Sequence, residues 1–404
     1  MALRMLQKGM DTAGAGGQFW VFALAANGEM VYKYWDGTAW QPSQTGWNSL
    51  GGNFVGPPSC SVRQFTSPGS GAQIDVVAVG QVQGKRVLNT EALFHRFWDG
   101  STWNPANGWD QLARLDSGNL GIKFAAHPVA IAGFDTAPNP ADVVVVGSDG
   151  QAYHTYLAGP SSANPGWQPW ENLGGSIVSA PAVAGIDPGF NLLGQVLSVF
   201  ATDANGHTLY KYTDGSGWQP SQTGWNHLDD SVGLYNTAAA GANDIRVDVL
   251  GTAFGSPGQD QRLVHKVYKQ SGSAFGWNPS QSWETVTNDN FVEGPPVLVA
   301  TGTPLNRLDV FLGAFHNYLP QYQGSWLPQW EFLGPPKTDL ACMLAAAAVS
   351  TAPDQTTLHV VGLSGEASGM WHILTDGSGW QPPGTEVIGS PSGGFLIPGY
   401  TVVP

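Results

Sequence analysis

Residues 209–226 read LYKYTDGSGWQPSQTGWN, and residues 31–48 read VYKYWDGTAWQPSQTGWN. An aromatic stretch runs into Asp-Gly, then into Trp-x-Pro, then into a second Trp. Trp-x-Pro recurs at Trp40, Trp103, Trp167, Trp218, Trp277, Trp326 and Trp380, with spacings of 63, 64, 51, 59, 49 and 54. A period of this size marks a chain built from repeats. Seven units of about 58 residues fill all 404 positions.

Each unit has the same internal order. An apolar segment such as Ser179–Ala184 precedes an alternating one, Val196–Phe200; a Gly-containing turn and the aromatic Leu209–Tyr212 follow. Short β-branched and aromatic runs separated by Asp-Gly or Asn-Gly read as hairpins and meanders. No ten-residue stretch carries helical spacing with caps, so the expected fold is all-β. Four antiparallel strands per unit predict a seven-bladed β-propeller, in which radial closure leaves only short edges. The expected division is a lead segment over 1–17 and a single propeller domain over 18–404. Phe19–Ala23 reads as the second strand of a blade with no first strand before it. The C-terminal Phe395–Val403 is expected to supply that missing strand and close the ring.

Composition narrows the function. Charged residues are 11% of the chain and the net charge is −14, which opposes binding to phosphate backbones. Nucleic acid is therefore excluded as a partner. The longest run without strongly polar residues, near Ala341–Val349, falls far short of the ~20 residues that cross a bilayer, so no membrane span is expected. Neither a secretory signal nor an Asn-x-Ser/Thr acceptor is visible. A cytoplasmic location, or release without a signal peptide, follows as the expectation. Cys60 and Cys342 are too few for a disulfide framework and read as free thiols.

Two columns of residues repeat on the aromatic strand. One holds Tyr32, His95, His154, Tyr210, His265 and His372; the next holds Lys33, Arg96, Thr155, Lys211, Lys266 and Ile373. Neighbouring strand residues point to opposite faces, so the columns serve opposite sides of a blade. The Trp pairs are the other recurrent feature. Second members are Trp47, Trp109, Trp170, Trp225, Trp283 and Trp330, and the last unit has none. An indole offers a flat apolar face with a polar rim, suited to the C–H face of a pyranose. One Trp of each pair is expected to pack and the other to be open. The candidate ligand-binding set is Trp40, Trp47, Trp103, Trp109, Trp218, Trp225, Trp277, Trp283, Trp326, Trp330 and Trp380, with Tyr32, His95, Tyr210, His265 and His372. Replacing Trp40 and Trp218 by Ala is expected to lower avidity while the fold survives. No metal-ligand spacing, nucleophile elbow or phosphate loop is present, so no catalytic residue, metal or cofactor is assigned.

The segments LDVFLGAF (308–315), VVVVGSDGQAYHTY (143–156), LFHRFWDGSTW (93–103) and WENLGGSIVSAPAVAG (170–185) resemble the repeat of the bacterial seven-bladed propeller lectins first known from Photorhabdus. The resemblance implies binding of fucose and related or O-methylated sugars in pockets between blades. This chain departs from that repeat in the longer insertions Gln41–Gly46 and Gln219–Gly224, in Leu319-Pro320 where a His or Tyr is expected, and in the missing second Trp of unit seven. The expected function is a non-enzymatic, multivalent lectin whose partners are glycans or glycoconjugates, with homo-oligomerisation left open. The rival readings are a propeller enzyme (lyase, isomerase or cyclase) using one diverged pocket on a small metabolite, and a protein-interaction platform.

Overall fold

The computed structural model describes residues 10–15, 17–63, 73–82, 91–112, 124–133, 141–159, 166–186, 196–213, 217–229, 232–242, 246–253, 262–271, 274–287, 296–301, 307–312, 317–322, 325–326, 331–332, 344–352, 355–363, 370–376 and 380–391. Among them there is no helix. The strands form seven antiparallel sheets, numbered here 1 to 7 in chain order: residues 10–51, 59–111, 124–174, 182–229, 234–287, 297–332 and 344–389. First strands of adjacent sheets lie side by side, and that of sheet 7 (Leu344–Ala352) touches that of sheet 1 (Met10–Ala15). This radial arrangement is a β-propeller.

The expected four-stranded blade is modified at its outer edge. Sheets 1 to 6 share a five-strand pattern, because the outer edge is split in two; in sheet 1 both Trp40–Gln41 and Asn48–Gly51 pair with Met30–Trp35. The loop between the paired Trp residues leaves the sheet and returns, which breaks the edge strand. In sheet 7 the outer strand Trp380–Gly389 is continuous through register shifts, giving four strands.

The lead segment is corrected too. Met10–Ala15 pairs with Gln18–Leu24 from Met10↔Ala23 to Ala15↔Gln18 and is the first strand of sheet 1. Small side chains let it approach sheet 7: a Cβ at Gly14 would collide with the Ala348 carbonyl. The position expected of Phe395–Val403 is thus taken from the N-terminal side, and the C-terminal stretch itself lies outside the described residues.

Second strands are buried on both faces, as in Gln18–Leu24 and Ala141–Gly147. Phe19, Val21 and Ala23 join a cluster with Val361, Met370 and Ile388 of sheet 7. The alternate residues Trp20, Phe22 and Leu24 join one with Ile74, Val76 and Ala78 of sheet 2. Comparable clusters join sheets 2 and 3, 3 and 4, 4 and 5, 5 and 6, and 6 and 7. Burial of each such aromatic or aliphatic side chain contributes about 1.5–3 kcal/mol. Continuous apolar strands follow because each sheet is packed on both faces.

Candidate functional site

The register places Tyr32, His95, His154, Tyr210, His265 and His372 at equivalent positions of the third strands. Each faces the following sheet, and the neighbouring basic residue faces the preceding one. Lys33, Lys211 and Lys266 are fully buried, and Arg96 is nearly so. Lys211 Nζ donates to the carbonyl oxygens of Leu173 (3.0 Å), Ser221 (3.3 Å) and Gln222 (2.7 Å). Its ammonium lies 5.3 Å from the ring centre of Trp218 and 5.0 Å from that of Trp225. Lys33 repeats this with Gln44 and Ile388 oxygens and the rings of Trp40 and Trp47. Arg96 donates to Leu50, Pro105 and Ala106 oxygens. Lys33, Arg96 and Lys211 tie sheets 1, 2 and 4 to the outer strand of the sheet before, with charge-assisted bonds stronger than neutral ones. Burial lowers Lys211 to about 8 and lowers Arg96.

The first Trp of each pair stands between the two columns. Trp40 is edge-on to His372 (4.9 Å), Trp103 to Tyr32 (5.3 Å), Trp218 to His154 (5.1 Å) and Trp326 to His265 (5.2 Å). Trp40, Trp103 and Trp218 are 2%, 9% and 8% exposed. They are wedges between sheets. Second members are anchored differently: Trp225 Nε1 donates to Leu173 O (2.9 Å) and Trp109 Nε1 to Leu50 O (3.1 Å). Trp47, Trp109 and Trp225 stay half-buried, while Trp283 is buried.

The insertions that recur in units one and four are inter-sheet covers. Gln44 Nε2 donates to Val387 O, and Gln222 Nε2 to Glu171 Oε2 and Asn172 O. A Cβ at Gly389 or Gly174 would collide with the Thr45 or Thr223 carbonyl. Recurrence of Gln41–Asn48 as Gln219–Asn226 therefore has a packing cause.

Around the His column lie carboxylates that sequence reading missed. His95 Nε2 meets Asp75 (2.7 Å), His154 Nε2 meets Asp142 (2.7 Å), and His265 Nε2 meets Asp248 (2.8 Å). Arg63 Nη2 donates to Asp75 (2.6 Å), and Arg246 grips Asp248. On the other ring nitrogen, Glu171 meets His154 at 2.5 Å and Glu284 meets His265 at 3.0 Å. Glu171 also accepts from Trp218 Nε1 across the joint (2.9 Å). Burial alone would lower His154, but the hydrogen bonds of Asp142 and Glu171 outweigh it and raise it to about 9. The same opposition raises His265. Burial drives His359 the other way, to about 2, helped by His372, 3.0 Å away. The legible signal was an Asp set inside apolar second strands, as in QIDVVAVG, ADVVVVG, RVDVLG and RLDVFL.

Of the remaining candidates, Tyr32, Tyr210, Trp277, Trp326 and Trp380 are half-buried, and His95, His265 and His372 are buried. Trp330 lies outside the described residues. Among the described residues no group of three or more His, Cys, Asp and Glu side chains could hold a metal ion, and no helix is long and apolar enough to cross a membrane.

A family model described as a repeat of unknown function (DUF346) matches residues 18–60. That stretch runs from the second strand of sheet 1 into the first strand of sheet 2. No curated protein matches the chain. Among solved structures, the BP39L lectin from Burkholderia pseudomallei is 18% identical with a TM-score of 0.65, covering 94% of this chain and 99% of that one. AofleA from Arthrobotrys oligospora is 9% identical with a TM-score of 0.51, covering 97% and 89%. The fucose-specific lectin from Aleuria aurantia is 16% identical with a TM-score of 0.46, covering 96% and 97%, too loose a likeness to add weight. The first two likenesses show a β-propeller fold for this chain.

Proposed function

We propose that this chain is a non-enzymatic lectin: a seven-bladed ring, one blade per sheet, with several monosaccharide sites at the joints between blades. The observation that carries the reading is the repetition of one joint, in which a wedged Trp, a half-buried second Trp and an exposed loop recur at different points of the ring. BP39L, which has the same fold, is a lectin by name, and the repeat resembles that of the Photorhabdus lectins. Fucose or an O-methylated relative is the ligand this reading favours.

The buried wedges shift the proposed contacts. Rings of Trp40, Trp103 and Trp218 are covered on the sheet side and at the Lys or Arg side, so stacking falls to second members such as Trp47, Trp109 and Trp225. They stand beside the exposed Ser43–Thr45, Ala106–Gly108 and Ser221–Thr223 stretches. Linked weak sites raise avidity by ~10²- to 10⁴-fold on glycan-coated surfaces.

Titration calorimetry with methyl fucoside and an O-methylated hexose tests this. Several equivalent sites with millimolar to sub-millimolar constants, about −4 to −5 kcal/mol each, are expected. One tight site per chain, with turnover of a small metabolite, would replace the lectin by an enzyme acting at a single diverged pocket.

A further inference from the structure

We infer that the joints after sheets 3 and 5 are proton-dependent clasps, each closed by a histidine held between a buried aspartate and a rim glutamate. In the joint after sheet 3, His154 bridges Asp142 and Glu171 (2.7 and 2.5 Å). Glu171 then reaches into sheet 4, accepting from Trp218 (2.9 Å) and Gln222 (3.1 Å). In the joint after sheet 5, His265 bridges Asp248 and Glu284, and Trp326 of sheet 6 rests edge-on against its ring.

An imidazole can satisfy two carboxylates only as imidazolium, because the neutral ring has one N–H. Loss of the proton leaves a buried or rim carboxylate facing a lone pair, at the point where the next sheet is held. The joint after sheet 2 is built otherwise: Trp167 Nε1 donates to His95 Nδ1 (3.4 Å), so this nitrogen is the acceptor and Nε2 donates to Asp75.

Among the described residues, the following groups face each clasp. Around His154 stand Asp142, Glu171, the Tyr156 ring at 5.8 Å and Trp218, with Glu171 in turn favouring the charged form of Lys211. Around His265 stand Asp248 with Arg246, Glu284 with Lys269 acting on it, and Trp326. A raised histidine contributes stability that is complete below its unfolded value of ~6.5 and is lost as pH rises through the folded value. For His154 that window runs from ~6.5 to beyond about 9.

The ring supplies its own controls. The joint after sheet 3 has both histidine and the buried lysine of the next sheet; that after sheet 5 has the histidine, with Leu319 in the lysine position; that after sheet 4 has Lys266, with Tyr210 in the histidine position. Hydrogen exchange of the full chain at pH 7 and pH 10, expressed as protection factors, reads all three at once. Expected is a drop of about tenfold or more in Glu171–Gly174 and Glu284–Thr287, with Asn226–Asp229 changed less than about threefold. Glu284→Gln, a half-exposed change, should move the loss after sheet 5 to lower pH. Imidazole NMR of the nine histidines should show His154 still protonated above pH 8. Unchanged protection after sheet 5 at pH 10, an equal loss after sheet 4, or titration of His154 below pH 7 would each overturn the inference.

Discussion

The ammonium of Lys211 lies 3.0 Å from the carbonyl oxygen of Leu173, a residue of the preceding sheet, and Trp225 donates to the same oxygen from 2.9 Å. The Leu50 oxygen is shared in the same way by Arg96 (3.0 Å) and Trp109 (3.1 Å). These two joints are therefore polar knots as well as apolar contacts, and their members come from well-separated parts of the chain. A backbone oxygen has two lone pairs, so both donors are accommodated without competition.

Lys211→Met keeps the aliphatic stem but leaves the Ser221 and Gln222 oxygens without their ammonium. Losing hydrogen bonds made by a charged donor costs about 1.5–3 kcal/mol, read as a lower urea midpoint at pH 7. Because burial holds the folded amine near 8, below its unfolded value, its contribution rises as pH climbs from about 8 towards ~10.4. The variant should lose this alkaline gain.

Trp218→Ala removes a wedge that is 8% exposed and touches both His154 and Lys211. Large-to-small changes of this kind cost about 3–5 kcal/mol. Chemical denaturation should show that loss, whereas a variant as stable as the parent would mean that the ring is not packed as described.

Asp75→Ala leaves Arg63 and His95 buried without their shared carboxylate. Breaking a buried ion pair from one side costs about 3–5 kcal/mol. Although burial itself opposes ionisation, His95 and Arg63 hold Asp75 below the usual carboxylate range. Its contribution is present above ~3.9 and fades as pH falls through the folded value. An acid-unfolding profile of the parent should therefore be steeper than that of the variant.

Gly174→Ala meets two obstacles at once, a φ of +70° and the Thr223 carbonyl. Left-handed backbone alone costs about 1 kcal/mol or more for a residue with a Cβ, and the displaced cover over sheet 3 adds to it. The melting temperature should fall, and Gly389→Ala, the counterpart under Thr45, should behave alike.

Deleting residues 1–15 strips the first strand of sheet 1 and bares the edge of Gln18–Leu24. Unpaired strand edges seek partners, so size-exclusion chromatography should show oligomers or loss of soluble protein. A monodisperse product would show that Met10–Ala15 is dispensable.

The sequence alone determined the all-β class, the recurrence of one unit along the chain and the opposite facing of the two columns, since a Trp-anchored period and strand alternation are local in origin. It also placed Gly at the hairpin turns, where Gly28, Gly150 and Gly206 take φ of 81°, 76° and 86°. Only the tertiary structure decided what the columns touch. That Trp40 and Trp218 are wedges, that Lys33 and Lys211 are caged by carbonyls, and that Glu171 joins His154 to Trp218 depend on contacts across joints, between residues such as Lys33 and Ile388 that are 355 positions apart. Ring closure was misread for the same reason: Met10–Ala15 is a weak strand by composition, small and Gly-containing, and it is held by the Leu344–Ala352 strand that its small side chains allow to approach. Local patterns name elements, whereas burial and partner choice are properties of the closed ring.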